Sequence, residues 1–280
     1  MELIYSVMDT LLPFSWSSYT FMKNAFLAIL LVTPLFGLLS TMVVSNRMAF
    51  FSDSLGHGAF TGIAIGVLLG SVSPLLSLIL FSVAFAVFIT YIQNKSTAST
   101  DTIIGVFSAT AIALGLMIMS HGGGFNKFSS YLIGDILSIV PEDLGALALV
   151  AVLVIAAWGR LFNRLLVMSI NPVFARSRGI RTFWVESIFA SILAVVVSIS
   201  IQWVGILIIN ALLVLPGASA RNIANNVKQY TLFSVLIAVV SGVTGLILAY
   251  YFSLAAGATI VVVSAVIFFI TLGLKPYFAR

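Results

Sequence analysis

Long runs without a charged side chain dominate this sequence and limit what it can fold into. Residues 230–274 form one such run of 45 residues, and only 8% of the 280 residues are charged. A soluble domain carries about 25% charged residues, whereas a membrane-spanning helix needs about 20 mostly apolar ones. Because 61% of the residues are hydrophobic and the mean hydropathy is +1.20, we predict an all-α integral membrane protein.

Nine stretches are long and apolar enough to span a membrane, and Asn210 and Pro216 make the seventh the weakest. We therefore predict one transmembrane domain over residues 1–280, a polytopic bundle of about eight or nine helices. The last two would turn near Gly257, after the polar Ser253. The predicted spans are 19–44, 52–69, 75–92, 102–120, 144–162, 182–201, 203–220, 230–253 and 257–274.

The basic residues predict how the chain is oriented, because Lys and Arg concentrate in cytoplasmic loops. If the chain crosses the membrane nine times, with its N-terminus outside and its C-terminus inside, Lys23 and Lys127 are the only basic residues that fall outside. The loop at about 160–181 holds five arginines. It is either a simple positive-inside anchor or long enough for a short helix that docks on a cytoplasmic partner. Segment 121–143 is predicted to be external.

Asp53 and His57 stand four residues apart in the second predicted span, so they would share one helix face. Ionisable residues at membrane depth are costly and usually face a bundle interior or an ion path. One oxygen and one nitrogen donor suit a borderline divalent metal ion. An Asp–His hydrogen bond that locks two helices is the structural alternative.

A stripe of small residues follows the same helix at four-residue spacing, from Ser54 through Gly58, Gly62 and Gly66 to Gly70. Small residues on one face let a neighbouring helix approach closely. We interpret the stripe as structural, and it predicts that this helix is central and packed on several sides.

Three further polar residues carry separate predictions. Asp101 is expected in the first turn of the fourth span, and Glu186 is expected to pair with a cytoplasmic arginine. Asn210 either hydrogen-bonds across helices or lines the path of an ion.

Some functions are excluded by what the sequence lacks. With no cysteine, disulfides, iron–sulfur clusters and thiolate metal sites are impossible. No G-x-x-x-x-G-K-[ST] phosphate loop occurs, so the chain cannot hydrolyse ATP alone and is expected not to be an enzyme. The net charge of +5 does not indicate nucleic-acid binding, because the basic residues lie between apolar segments.

Five blocks in order resemble the permease subunits of zinc/manganese ABC importers. The most specific is VGILIINALLVLPGASARNIANNVKQY, in which the apolar helix ends in a Pro-Gly break followed by small residues and an arginine. The others are NRMAFFSDSLGHGAFTG, STDTIIGVFSATAIALGL, SYLIGDILSIVPEDL and AAGATIVVVSA.

This resemblance implies a fold and a set of partners. The fold would resemble the cobalamin and iron-siderophore ABC importer permeases, in the cytoplasmic membrane of a prokaryote. The partners would be a second permease copy, a cytoplasmic ATP-binding subunit and an extracytoplasmic metal-binding protein. No permanently bound cofactor is expected, and zinc or manganese would be cargo.

The resemblance also assigns roles to residues. Asp53 and His57 would be ligands of the permeating ion. Segment 215–229 would be the ATPase-coupling region, with Pro216, Gly217, Ala218, Ser219, Ala220 and Arg221 at its start. The Leu-Pro-Gly found in many manganese-type members is absent from SLGHGAFTG, and this absence favours zinc. The alternatives are a proton-coupled secondary metal transporter, with Asp53 and His57 as a relay, and an ABC permease for a chelated metal or cobalamin.

Overall fold

The computed structural model describes residues 2–11, 14–70, 73–122 and 134–278, and within these ranges the only regular structure is helical. Two short 3-10 helices cover Ser15–Ser18 and Ile136–Ser138. The α-helices are α1 Glu2–Leu11, α2 Thr20–Ser45, α3 Ala49–Leu69, α4 Pro74–Lys95, α5 Thr100–Gly122, α6 Pro141–Ile170, α7 Pro172–Ser177, α8 Thr182–Val204, α9 Ile206–Ile223, α10 Val227–Phe252 and α11 Ala256–Phe278. The predicted all-α membrane fold is therefore confirmed.

Local sequence signals set many of the helix ends. Ser73 and Asn171 cap α4 and α7 with their side-chain oxygens, and each is followed by a proline in the first turn. Gly70 ends α3 in the left-handed conformation, with φ 62°. Ser253 takes the same conformation after α10, so the chain turns just before the expected Gly257, which lies in the first turn of α11.

Seven of the helices, within the described residues, are long and apolar enough to cross a membrane. The predicted count of eight or nine is therefore slightly too high by this measure. The two predicted spans outside the seven are α3 and α9. In α3, Asp53 and His57 lower the mean hydropathy of the helix.

Two predicted boundaries change for physical reasons. The seventh helix begins at Ile206 rather than at residue 203, because Gly205 has φ 85° and interrupts the helix. The loop predicted at about 160–181 is largely helical, since α6 continues to Ile170 and α7 follows at once. Arg160 and Arg164 therefore lie on a helix.

The chain divides into two compact units that alternate along the sequence. The first comprises residues 1–41, 134–155 and 203–280, and the second comprises residues 42–133 and 156–202. In the first unit α9, α10 and α11 pack against one another, and in the second α3 packs against α4 and α5. The single transmembrane domain over residues 1–280 stays a prediction.

Candidate metal site and coupling segment

Asp53 and His57 lie on an accessible strip of α3, in the part of the helix that is otherwise buried. Between Phe51 and Gly66 of α3, the residues that are not buried are Asp53, His57 and Ile65. They follow a four- and eight-residue spacing, so they share one face. The Asp53 side chain is 43% exposed and that of His57 is 30% exposed. An ion or water molecule can therefore reach both side chains from this side of the helix.

The geometry of the pair fits a shared metal ion better than a direct hydrogen bond. His57 Nε2 and Asp53 Oδ2 are 3.6 Å apart, which is too long for a good hydrogen bond. Two metal–ligand bonds of about 2.1 Å would span that separation at an angle of about 118°, near the tetrahedral value that zinc favours. Coordination through Nε2 requires the tautomer with its proton on Nδ1.

The site offers two protein ligands within the described residues. No cluster of three or more His, Asp or Glu side chains that could hold a metal occurs in this part of the chain. A structural zinc site has four protein ligands. The pair is therefore suited to hold an ion weakly, with water in the remaining positions.

The stripe of small residues fixes the orientation of α3, as predicted for three of its members. A Cβ added to Gly58 would lie 2.8 Å from the Phe85 ring, and one on Gly62 would lie 3.0 Å from the Leu78 backbone of α4. A Cβ added to Gly66 would lie 2.7 Å from the Ser77 Cβ. Gly70 differs, since its Cβ would meet nothing and its positive φ is what requires glycine.

α3 is also held by α5. The Thr61 hydroxyl donates a hydrogen bond to the carbonyl of Ala111, and a Cβ on Gly115 would lie 2.9 Å from Phe60. Thr61 is one turn beyond His57 on the same face, so this contact closes the strip above the Asp–His pair.

A polar cavity of about 590 Å³ lies at the N-terminal end of α3. Phe51 lines it two residues before Asp53, about 3 Å along the helix axis. Its lining includes Asn46, Arg47, Asn94, Arg176 and Glu186. Two arginines against one carboxylate make the cavity a poor resting place for a cation. Sequence reasoning missed this cavity because five separated segments build it.

The expected pairing of Glu186 with an arginine is wrong for the described residues. Its carboxylate instead accepts a hydrogen bond of 2.9 Å from Asn94 Nδ2 in α4, although both line the cavity that contains Arg47 and Arg176. Asp101 lies in the first turn of α5, as predicted.

Asn210 lies in α9, in the other compact unit from Asp53 and His57. Its side chain is half-buried. Its part in ion passage stays a prediction.

The predicted helix break at Pro216-Gly217 is wrong, because α9 continues through both residues to Ile223. Proline removes one backbone hydrogen bond and normally opens the helix there. Here the Ser40 side chain of α2 inserts at that point. Its hydroxyl accepts the Gly217 N–H at 2.8 Å and lies 3.4 Å from the Val214 carbonyl.

The residues after Pro216 differ in their access to a partner. Ser219 and Ala220 are fully buried, Ala218 is half-buried and Arg221 is exposed. In this conformation only Ala218 and Arg221 of the predicted coupling residues offer a surface.

A second polar cluster lies at the N-terminal end of α2, and sequence reasoning missed it. Lys23 is 8% exposed and its Nζ lies 2.6 Å from an Asp9 carboxylate oxygen. Asn24 accepts a hydrogen bond from Tyr5 and donates one of 3.1 Å to the Ile139 carbonyl. These contacts tie α1 and the segment before α6 to α2.

The predicted external segment 121–143 is described only in part, and residues 123–133 lie outside the described ranges.

Together, the long apolar helices define a polytopic membrane protein, and the accessible Asp–His pair is its candidate ion site. Comparison with known proteins makes this more specific. A family model described as the ABC 3 transport family matches residues 18–275. The chain belongs to this family.

Its relatives include proteins named for the transport of each of the two metals that the sequence suggested, zinc and manganese. It is 29% identical to the high-affinity zinc uptake system membrane protein ZnuB of Buchnera aphidicola, over 88% of this chain and 94% of that protein. It is 27% identical to the manganese transport system membrane protein MntC of Listeria monocytogenes, over 92% of each chain. Among solved structures, PsaBC from Streptococcus pneumoniae in complex with Fab is 25% identical with a TM-score of 0.80, covering 97% of this chain and 95% of that one.

Proposed function

We propose that this chain is the membrane-spanning subunit of an ATP-driven importer for zinc or manganese, and that Asp53 and His57 hold the ion in transit. The observation that carries the proposal is the accessible Asp–His pair, 3.6 Å apart, in a stretch of α3 from Phe51 to Ala64 whose other residues are all buried. Family membership over residues 18–275 supports it independently.

Two ligands from the protein suit transport better than storage. An ion that must leave again has to be bound weakly enough to be released. Asp53 and His57 replace part of its hydration shell, and water or the same pair of a second subunit supplies the rest. The positively charged cavity before α3 would then discourage the ion from stopping after it leaves the pair.

Three partners complete the transporter in this proposal. A second copy of the chain forms the other half of the membrane part, and an extracytoplasmic metal-binding protein delivers the ion. ATP is hydrolysed on a separate cytoplasmic subunit, since this sequence has no phosphate-binding loop.

We propose α7 as the surface on which that ATPase docks. α7 is a short helix on the predicted cytoplasmic side, capped firmly by Asn171. Its Val173 side chain is 72% exposed, and Ile170 and Phe174 beside it are also exposed. Exposed apolar residues on a rigid cytoplasmic element are typical of a protein interface. The end of α9, with Ala218 and Arg221, remains the proposed coupling segment.

The ion-binding proposal is tested by transport in proteoliposomes that contain the chain and its ATPase. Asp53→Ala and His57→Ala should each lower uptake of radiolabelled zinc or manganese by at least about tenfold, because each removes one of two ligands. Asp101→Asn is the matched control, since it removes an exposed acid of the same unit and should leave uptake unchanged. Normal uptake in both alanine variants would disprove the ligand assignment.

A second variant distinguishes a metal site from a proton relay. His57→Asp replaces a borderline nitrogen ligand by a hard oxygen ligand, so the ratio of zinc to manganese uptake should fall. In the alternative, a proton-coupled secondary transporter, uptake would proceed without ATPase activity and the ratio would not follow the ligand type.

A further inference from the structure

A groove rich in arginine lies in the second compact unit, apart from the Asp–His pair. It encloses about 550 Å³. We refer to it as the arginine groove, and it is lined by Arg164, Arg178, Ile180, Arg181, Trp184 and Ile188. None of the acidic residues that the structure describes lines it.

Two helices, α6 and α8, and the turn that follows α7 build the groove. Arg164 projects from the C-terminal part of α6, and Arg181 immediately precedes the first residue of α8. Between them α7 ends at Ser177, and Gly179 two residues later has a φ of 76° that allows two bonds to close the helix end. These are Gly179 N–H to the Arg176 carbonyl and Ile180 N–H to the Ala175 carbonyl.

The three guanidinium groups have no carboxylate partner among the described residues. The ion pairs found there are Lys23–Asp9 and His57–Asp53. Arg178 lies over the Phe174 ring at 5.1 Å, which leaves its outer N–H groups free of an anion. All three arginines are exposed. Such a concentration of positive charge favours an anionic ligand.

The groove continues from these charges onto an apolar helix face. Trp184 is 59% exposed and Ile188 is 46% exposed. Four residues separate them on α8, so they share one face, and α8 is one of the helices able to cross a membrane. Tryptophan is enriched where a spanning helix passes from the headgroup region into the hydrocarbon. The groove therefore changes from polar to apolar at the level where a phospholipid does.

We propose that the arginine groove binds one anionic phospholipid. Its phosphate would be held by Arg164, Arg178 and Arg181, and an acyl chain would lie along Trp184 and Ile188. Basic pockets between membrane helices are known to bind anionic headgroups. Free phosphate would use only the charged half of the groove, and a cation would be repelled. This proposal does not depend on metal transport.

Native mass spectrometry of the purified full chain in detergent tests this proposal, with phosphatidylglycerol and phosphatidylcholine as probes. Wild type should bind phosphatidylglycerol in preference to phosphatidylcholine, with one tightly held molecule per chain. Substituting one groove arginine by glutamine should weaken that binding about fivefold, and R164Q/R178Q/R181Q together about a hundredfold. Arg160→Gln is the matched control, since Arg160 lies one turn earlier on α6 outside the groove.

A further variant distinguishes a bound lipid from free phosphate or a docked protein. Trp184→Ala should weaken phosphatidylglycerol binding but leave that of inorganic phosphate unchanged, because only the lipid uses the apolar half. Monodisperse gel filtration of each variant shows that the fold is retained. Equal binding of both lipids by wild type, or an undiminished preference in the triple variant, would overturn the proposal. So would a triple variant that loses only its association with the ATPase, because the groove would then belong to a protein interface.

Discussion

At the scale of single residues, Ser40 and Gly217 determine how α9 passes Pro216. A proline inside a helix costs about 3 kcal/mol or more when nothing compensates. The Ser40 hydroxyl accepts the Gly217 N–H, and α2 comes so close that no side chain fits at residue 217. The helix therefore continues where the sequence predicted a break. The same close approach of Ser40 is the reason that glycine follows the proline.

Gly217→Ala should destabilise the protein measurably. Its Cβ would lie 2.6 Å from Ser40 Oγ and 2.7 Å from the Ser40 carbonyl oxygen, so the α2 backbone would have to move. Overpacking of this kind costs about 1–3 kcal/mol. Thermal unfolding in detergent, followed by intrinsic fluorescence, should show a lower Tm.

Gly273→Ala provides the control for that measurement. Gly273 lies within α11 and its Cβ would meet nothing within 4 Å, so alanine should leave the Tm unchanged or raise it slightly. If both variants unfold at the same temperature, the close approach of α2 and α9 is not present in the protein.

At the scale of helices, α7 and the end of α9 have different properties that suit different roles. α7 is short and exposed, and it presents apolar side chains such as Val173. The end of α9 is mostly buried, with Ser219 and Ala220 inaccessible. A docking surface has to be accessible, whereas a segment that transmits a movement has to be packed against what it moves.

Two variants are expected to separate docking from coupling. Val173→Asp should weaken association with the ATPase about thirtyfold or more, because an apolar contact is replaced by a charge that must be desolvated. Ala218→Trp should keep the association but uncouple ATP hydrolysis from uptake, because the added ring overfills a half-buried position. Co-purification, ATPase rate and vesicle uptake measured side by side distinguish these outcomes.

Leu254→Asp is the matched control for Val173→Asp. Leu254 is also exposed and apolar, but it lies in the turn between α10 and α11, which is predicted to be external. Its substitution should not affect the ATPase. Full, ATPase-independent uptake in Ala218→Trp would contradict the ABC mechanism, and unchanged association in Val173→Asp would exclude α7 as the docking surface.

At the scale of the whole molecule, contacts within the first unit join segments that were predicted to lie on the same side of the membrane, and which side that is stays a prediction. Asn24 at the start of α2 contacts the Ile139 carbonyl, and the Ser15 hydroxyl lies 3.4 Å from that of Tyr251. Three segments predicted to be external therefore meet at one end of this unit. Lys23, a basic residue at this end, is paired with Asp9, and this pairing reduces the free-energy cost of burying its charge.

Cysteine labelling tests this orientation without interference, because the chain has no native cysteine. Ser177→Cys in α7 should react with an impermeant maleimide only from the cytoplasmic side. Ser138→Cys, before α6, should react only from outside. Both serines are exposed, so accessibility does not limit either reaction. Labelling from the reverse side at both positions would invert the orientation.

Much of the fold was predictable because it depends on local properties. An apolar run of about 20 residues forms a helix in a membrane whatever surrounds it, since the backbone has no other partner there. All nine predicted spans accordingly overlap helices. Asp53 and His57 were identifiable for the same reason, because four-residue spacing places two side chains on one face of any helix.

The rest was decided by contacts between residues that are distant in sequence. How much of α3 stays accessible depends on Phe85, which packs against Gly58, and on Thr61, whose contact with α5 closes the strip beyond His57. The continuation of α9 past Pro216 depends on Ser40, and the partner of Glu186 proved to be Asn94 rather than an arginine. The arginine groove needs α6, the turn after α7 and α8 together. Local hydrophobicity determines where helices form, but only their packing determines which polar groups meet.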